Sequence, residues 1–160
     1  MSTQWRTHTT ALLIFGVMAI IIAAAVAFMV TTFQPKTQVR LGAGVFEARI
    51  ADTDVSRQKG LSGTPALRSN QAMLFDFKSE GKWGIWMKDM NYPIDIIWLD
   101  AEKTVVHIVR NAPPATENPT TYAPTKDARY VLEIMAGAAQ SNNIRVGEKA
   151  IFTLETEGEE

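Results

Sequence analysis

The sequence contains no cysteine among its 160 residues. This absence excludes disulfide bonds, thiol nucleophiles, iron–sulfur clusters, cysteine-ligated zinc and a lipid-modified N-terminal cysteine. Histidine is nearly as scarce, because His8 near the N-terminus and His107 in a predicted strand are the two that the chain has. A histidine-based metal site is therefore not expected, and we expect neither a metal nor an organic cofactor.

Positive charge is not in excess either. The chain has 16 Lys and Arg against 17 Asp and Glu, for a formal net charge of −1. The one block of like charge is acidic and leads into the C-terminal tail, residues 158–160. Nucleic-acid-binding domains usually carry a basic patch or stripe. We therefore expect no nucleic acid partner.

One long hydrophobic run is present, residues 11–30, with the sequence ALLIFGVMAIIIAAAVAFMV. A helix of this length spans about 30 Å, the thickness of the hydrocarbon core of a bilayer. An uncleaved transmembrane anchor fits the length. A signal peptide fits the A-x-A step at Ala25–Ala27, although its apolar stretch is usually only about 7–15 residues. Either interpretation exports the rest of the chain, so we expect a single-pass membrane protein with its domain outside the cytoplasm, periplasmic or at the cell surface. The domain would be secreted if the segment is cleaved.

The hydrophobic run divides the chain. We expect an N-terminal flank at residues 1–10, a linker at 31–38, a domain at 39–157 and the acidic tail at 158–160. Within the domain, residues 45–51 alternate apolar and polar side chains, which is typical of a half-buried strand. Similar patterns predict strands at 72–77, 83–88, 94–100, 104–109, 129–135 and 149–155, short helices at 52–65 and 136–143, and a long loop at 111–128. The fold class is mainly β, a small sandwich or barrel of six to seven short strands with two short helices, preceded by one transmembrane helix.

Two acidic residues lie in strands that are otherwise apolar. Asp95 follows Ile94 in IDIIWLD, and Glu133 shares a strand face with Val131. An isolated buried carboxylate is costly, so each should be paired, hydrogen-bonded or neutral. Lys88 and Arg57 are candidate partners, and backbone amides at the turn 91–93 are an alternative for Asp95. The cluster is either a polar cleft that binds a ligand or acts in acid–base chemistry, or an ion-paired network that fixes strand register.

Three of the four tryptophans lie between residues 83 and 98. Tryptophan in a small domain is usually a core residue with its N–H bonded to the backbone, which we expect for Trp86 and Trp98. Trp83, close to Gly81 and Gly84, is expected at the surface. A stacking platform for a sugar or a peptide is the alternative.

A set of short motifs occurs in order along the domain: Arg57, Gly60 and Leu61, then residues 73–77, 86–90, 93–97 and 130–133, then Gly137 and residues 147–148. Over roughly residues 45–153 this order resembles domain-of-unknown-function family 192, a group of small β domains often found behind a signal peptide or anchor. The chain departs from the family pattern at Ser62, Asp89 and Glu148. The resemblance implies a mainly-β fold and an exported location, and it implies no function.

Three functions follow from these features. The first is a non-enzymatic extracytoplasmic domain that binds a small polar ligand, a glycan or a partner segment. Its ligand-binding candidates are Arg57, Trp83, Trp86, Lys88, Asp95 and Glu133. The second is a hydrolase of cell-envelope material with Asp95 and Glu133 as its catalytic acid/base pair. The third is an accessory subunit of a membrane complex, because small residues such as Gly16 and Ala23 are spaced for close helix packing.

Overall fold

The structure, a computed structural model, describes residues 15–23, 35–114 and 120–154. Residues 15–23 are helical, and the remainder of the predicted span 11–30 lies outside the described residues. Within the described ranges, none of the helices combines the length and the apolar character that a membrane crossing requires. The flank 1–10 and the acidic tail 158–160 also lie outside the described residues. The chain separates into two compact units, residues 1–34 and residues 35–160.

Within the described ranges, eight strands and two short helices form this second unit. The strands are β1 (Lys36–Leu41), β2 (Gly44–Ala51), β3 (Gln71–Gly81), β4 (Ile85–Trp86), β5 (Ile94–Leu99), β6 (Val105–Ala112), β7 (Thr121–Tyr122) and β8 (Ala128–Met135). The helices are α1 (Asp54–Lys59) and α2 (Ala138–Ser141). Thr53 begins α1 with a capping box, in which its side chain accepts a hydrogen bond from the backbone N–H of Ser56.

Six strands form one sheet in the order β1-β2-β3-β8-β5-β6, and β4 pairs with β7 in a separate two-stranded sheet. The β2–β3 pair is parallel and crosses over through α1, whereas the other pairs of the large sheet are antiparallel. The two edges of the large sheet are connected by a short closing segment, residues 147–151. Arg40 of β1 exchanges two backbone hydrogen bonds with Ile151, and Val105 of β6 bonds to Gly147 and Glu148. The sheet is thus closed in part into a barrel.

Apolar side chains pack on both faces of this sheet. The inner cluster takes residues from all six strands, including Phe46, Leu74 and Leu132, together with both alanines that begin α2. The outer cluster contains Met73, Phe75 and Trp98, which are covered by β4 and by the chain from Leu61 to Leu67. Both faces of the central strands are therefore apolar, as in β5, where every residue is buried.

The mainly-β prediction is confirmed, with local differences. Strand β1 occupies residues 36–38 of the predicted linker, because its residues pair with β2 from Lys36 onward. The predicted strand 83–88 is reduced to the two residues of β4, and the predicted strand 149–155 forms isolated bridges at Lys149 and Ile151. The predicted loop 111–128 contains β7, and its residues 115–119 lie outside the described residues.

Candidate functional site

A small cavity opens on the outer face of the sheet. Its volume is about 200 Å³. The end of α1 and the turn after it form one wall, the aromatic side chains of β3 form a second, and β4 forms a third. The lining includes Arg57, Lys59, Phe75, Phe77, Trp86 and Glu133.

Among the described residues, Glu133 is the one that lines this cavity with a carboxyl group. It lies in β8 opposite Met73 of β3 and Ile96 of β5, so apolar strands flank it on both sides. Its side chain is 4% exposed, and its Oε2 atom has no hydrogen-bond partner in the described part of the chain. A buried polar atom without a partner costs about 1–3 kcal/mol, so Oε2 is expected to bind a water, an ion or a ligand group in the cavity.

Burial raises the pKa of Glu133 to about 8, while the positive charge of Arg49 acts in the opposite direction. At pH 7 the protonated form of the group therefore predominates. A protonated carboxyl offers one O–H donor and retains acceptor capacity. The cavity thus presents an uncharged group that can both donate and accept a hydrogen bond.

The aromatic wall of the cavity is a stack. Trp83 lies 4.6 Å from Phe77 with nearly parallel rings, and Phe77 lies 6.2 Å from Phe75. The guanidinium of Arg57 lies over the ring of Phe77 at 5.6 Å. Phe75 and Phe77 were not predicted as site residues. Their alternation in AMLFDF places both on the face of Met73, which is the signal that could have identified them.

The mouth of the cavity is marked by Trp86, which is 40% exposed. The ammonium group of Lys88 lies 5.4 Å from the Trp86 ring. This mouth is attached to the opposite wall, because Ser62 Oγ donates to the Lys88 carbonyl at 2.7 Å and the Gly63 N–H donates to the Asp89 carbonyl at 2.9 Å.

Asp95 lies on the other face of the sheet from Glu133. The strand register pairs Asp95 with Ile134 and Ile96 with Glu133, and neighbouring positions of a strand point to opposite faces. Asp95 accepts hydrogen bonds from the backbone N–H groups of Asn111 and Ala139, each at 2.8 Å. The predicted acid/base pair is therefore wrong, since the sheet separates the two carboxyls. The amides that satisfy Asp95 also differ from those predicted at the 91–93 turn.

The predicted charged network does not form among the described residues either. Arg57 donates to the carbonyls of Asp52 and Asp76 at 2.6 and 2.8 Å and pairs with the carboxylate of Asp54. It lines the cavity with its charge already compensated, while Lys88 is exposed and lies beside Trp86 at the mouth. The cation that acts on the pKa of Glu133 is instead Arg49 of β2, which alternation places on the face of Met73.

A third buried acid, Asp76, was not singled out from the sequence. Burial by itself would raise the pKa of Asp76, but hydrogen bonds from the backbone N–H of Lys78 and from the side chains of Arg129 and Lys78 hold it below the ordinary value. Lys78 Nζ lies 3.1 Å and Arg129 Nε 3.3 Å from its carboxylate. Asp76 is thus a buried acid that is held by ion pairs, unlike Asp95 and Glu133.

The tryptophans differ partly from expectation. Trp98 is fully buried, as predicted, and its Nε1 donates to the Trp83 carbonyl at 2.9 Å. Trp86, predicted for the core, lies at the cavity mouth because β4 is short and belongs to the outer two-stranded sheet. Trp83 is half-buried in the stack on Phe77. Among the described residues there is no group of three metal-ligating side chains close enough to hold an ion.

The chain is similar to a family of uncharacterised proteins and to one of their curated members. The family model DUF192, described as "Uncharacterized ACR", matches residues 37–152. A protein named "UPF0127 protein" from Thermococcus sibiricus (strain DSM 12597 / MM 739) is 32% identical over 111 residues, 68% of each chain.

Two solved structures share the fold. A proposed transcription regulator from Sinorhizobium meliloti 1021 has a TM-score of 0.68 and 25% identity, covering 74% of this chain and 95% of that one. A protein of unknown function from Novosphingobium aromaticivorans DSM 12444 has a TM-score of 0.65 and 28% identity, covering 74% of this chain and 84% of that one.

Proposed function

This chain belongs to the DUF192 family, and we propose that its domain binds one ring of a saccharide in the cavity around Glu133. The observation that carries this proposal is the Oε2 of Glu133, left without a partner among the described residues, in a cavity with an aromatic wall. A sugar ring has an apolar C–H face that packs on aromatic rings and hydroxyl groups that both donate and accept hydrogen bonds. Those are the two kinds of contact that the cavity offers.

The size of the cavity supports a single ring. Pockets for drug-sized ligands enclose about 300–1,000 Å³, and this one is about 200 Å³. The exposed face of Trp86 at the mouth provides apolar surface for a second ring of a longer chain. An oligosaccharide would then occupy the cavity with one residue and extend over the tryptophan.

Binding is favoured over hydrolysis because a single carboxyl lines the described part of the cavity. Two-carboxylate hydrolysis of a glycoside requires a second acid about 5–10 Å from the first. Of the described residues, Glu133 is the single carboxyl that lines the cavity, and Asp95 lies behind the sheet.

The test is binding of the full chain, kept in detergent micelles, to an array of neutral, acidic and amino oligosaccharides. Glu133→Gln keeps a donor and an acceptor and is expected to keep the wild-type affinity at pH 7. Glu133→Leu removes both and is expected to weaken binding at least about tenfold, the effect of one buried hydrogen bond. Trp86→Ala is expected to weaken binding about three- to tenfold.

Ile151→Ala is the control, because Ile151 is 68% exposed on the closing segment and does not line the cavity. Wild-type affinity in Glu133→Leu would show that a sugar binds elsewhere. Absence of any bound oligosaccharide would contradict the proposed function itself.

We also propose that residues 11–30 anchor the domain to a membrane and that the domain lies outside the cytoplasm. The length and apolar composition of the run support the proposal, as do the exposed apolar side chains of its helical part, such as Phe15 and Ile20, each 70% exposed. The test is sodium carbonate extraction of membranes, followed by protease treatment of cells whose outer envelope is permeabilised and whose cytoplasmic membrane is intact. Release by carbonate without cleavage would contradict anchoring, and protection of the domain from the protease in these cells would contradict export.

A further inference from the structure

Positively charged side chains lie at the rim of the cavity, and binding of a neutral saccharide gives them no role. Lys59 ends α1, is exposed and lines the cavity. Lys88 lies over Trp86 at the mouth. One lysine thus lines the cavity, and a second lies beside Trp86 at its mouth.

Some other cations among the described residues are paired with carboxylates, and these two lysines are not. The ion pairs there are Arg57 with Asp54, Lys78 with Asp52 and Asp76, and Arg129 with Asp76. Lys59 and Lys88 belong to none of these pairs between described residues. The rim charge is therefore available to a ligand.

Among the described residues that line the cavity, Glu133 is the single carboxyl, and the exposed Asp89, which follows Lys88 in the chain, lies outside this lining. Its one carboxyl, Glu133, is buried among apolar strands and is largely protonated at neutral pH. An amino sugar would bring a positive charge to a basic rim and gain no partner. An anionic substituent would gain two exposed ammonium groups as partners.

We propose, on the basis of the saccharide site above, that the ligand is an acidic saccharide, with a uronic acid carboxylate held at the rim by Lys59 and Lys88. The ring in the cavity packs on Phe75 and makes a hydrogen bond to Glu133 through a hydroxyl group, and the next ring packs on Trp86. The exocyclic carboxylate of a uronic acid is the only charge on its ring. It is equatorial and lies at the edge of the ring, so the face of the ring can pack on the aromatic wall while the carboxylate meets the rim.

The experiment compares oligosaccharides that differ only in charge. The probes are β-1,4-linked oligoglucuronate with cello-oligosaccharide of the same length, and α-1,4-linked oligogalacturonate with α-1,4-linked oligogalactose. Binding of the full chain is measured by calorimetry in detergent at low salt, about 50 mM, and at high salt, about 500 mM. In at least one pair we expect the uronate to bind about tenfold more tightly at low salt, and the advantage to shrink at high salt because exposed charges are screened.

The variant Lys59→Gln/Lys88→Gln is expected to reduce that uronate advantage about fivefold or more and to leave the affinity for the neutral sugar unchanged. Lys149→Gln is the matched control, since Lys149 is an exposed lysine of the closing segment, and it is expected to keep the full advantage.

Three outcomes would overturn the proposal. Equal or tighter binding of the neutral member in every pair that binds would overturn it and leave the saccharide site standing. A uronate advantage that survives in the double variant would also overturn it. Absence of binding by every probe, together with absence of binding on the full array, would overturn this proposal and the proposed function together.

Discussion

Glu133 gives the folded domain a pH dependence of a particular sign. The unfolded side chain ionises around its ordinary value of 4.5, whereas the folded one keeps its proton up to a pKa of about 8. Between these two values unfolding releases a proton, so rising pH favours the unfolded chain. The slope is about 1.4 kcal/mol per pH unit at most. The charged groups near this carboxyl are Arg49 of β2 and Arg57 and Lys59 of α1.

We expect the free energy of unfolding of the wild type to fall by several kcal/mol from about pH 5 to about pH 8. In Glu133→Gln this part of the fall is expected to disappear, because the amide does not ionise. The variant should therefore match the wild type near pH 4 and exceed it above about pH 8. Urea unfolding followed by tryptophan fluorescence at a series of pH values measures both curves.

Glu102→Gln is the control, since Glu102 is an exposed carboxyl in the turn between β5 and β6, and we expect it to keep the wild-type slope. Parallel curves for wild type and Glu133→Gln would contradict the raised pKa.

The loss of stability at low pH has a different origin. The pKa of Asp76 is lowered, so its contribution to stability is present above its unfolded value and is lost as the pH falls through the folded one.

The burial of Asp95 and Glu133 could be predicted from the sequence, but the groups that contact them could not. The alternating apolar pattern around Asp95 and Glu133 indicated burial correctly. Their partners depend on strand register and on which strands are neighbours, and neither property is encoded in local spacing. Arg49 illustrates the same limit, because it is near Glu133 only through the β2–β3–β8 order of the sheet.

At the scale of elements, the turn after α1 shapes the cavity wall. Gly60 ends the helix at φ 48° and ψ −131°, a combination that side chains rarely adopt, and an added Cβ would lie 3.3 Å from the ring of Phe75. We expect Gly60→Ala to cost about 1–3 kcal/mol through backbone strain and to weaken saccharide binding by shifting Phe75. Urea unfolding and a titration of the variant measure the two effects.

Gly63→Ala is a matched comparison for this turn. Gly63 also has a positive φ of 66°, but none of the described atoms lies within 4 Å of a Cβ added there. This variant should lose stability and keep its affinity. Equal affinities for the two variants would show that Phe75 does not depend on the turn.

Elements with a strong local pattern were predicted well and those defined by distant contacts were not. Strands β2, β5, β6 and β8 have clear periodicity and flanking turns. Strand β1, KTQVRL, is mostly polar and follows a proline, so it resembles a linker until β2 pairs with it. The two-residue strand β4 exists through its pairing with β7, in which Ile85 lies opposite Tyr122 from a distant part of the chain.

At the scale of the whole molecule, closure of the sheet depends on the chain that follows α2. Residues 147–151 bond to both β1 and β6, and Phe152 then enters the inner cluster. Phe152 is 5% exposed and meets Tyr130 edge-to-face at 5.2 Å. The Lys103 ammonium lies 4.6 Å from its ring and donates to its carbonyl at 2.8 Å. One side chain thus connects the closing segment, β8 and the β5–β6 turn.

We expect Phe152→Ala to lower the free energy of unfolding by about 3–5 kcal/mol, the usual cost of removing a buried phenylalanine. Ile151→Ala, at the adjacent exposed position, should change it by less than about 0.5 kcal/mol. Urea unfolding should be followed by tryptophan fluorescence, which reports on the outer cluster, and by far-ultraviolet circular dichroism, which reports on the sheet. If the barrel is one cooperative unit, both signals shift together in Phe152→Ala. An early loss of the circular dichroism signal with an unchanged tryptophan transition would show instead that the closing segment opens independently, and that the cavity around Glu133 does not depend on closure.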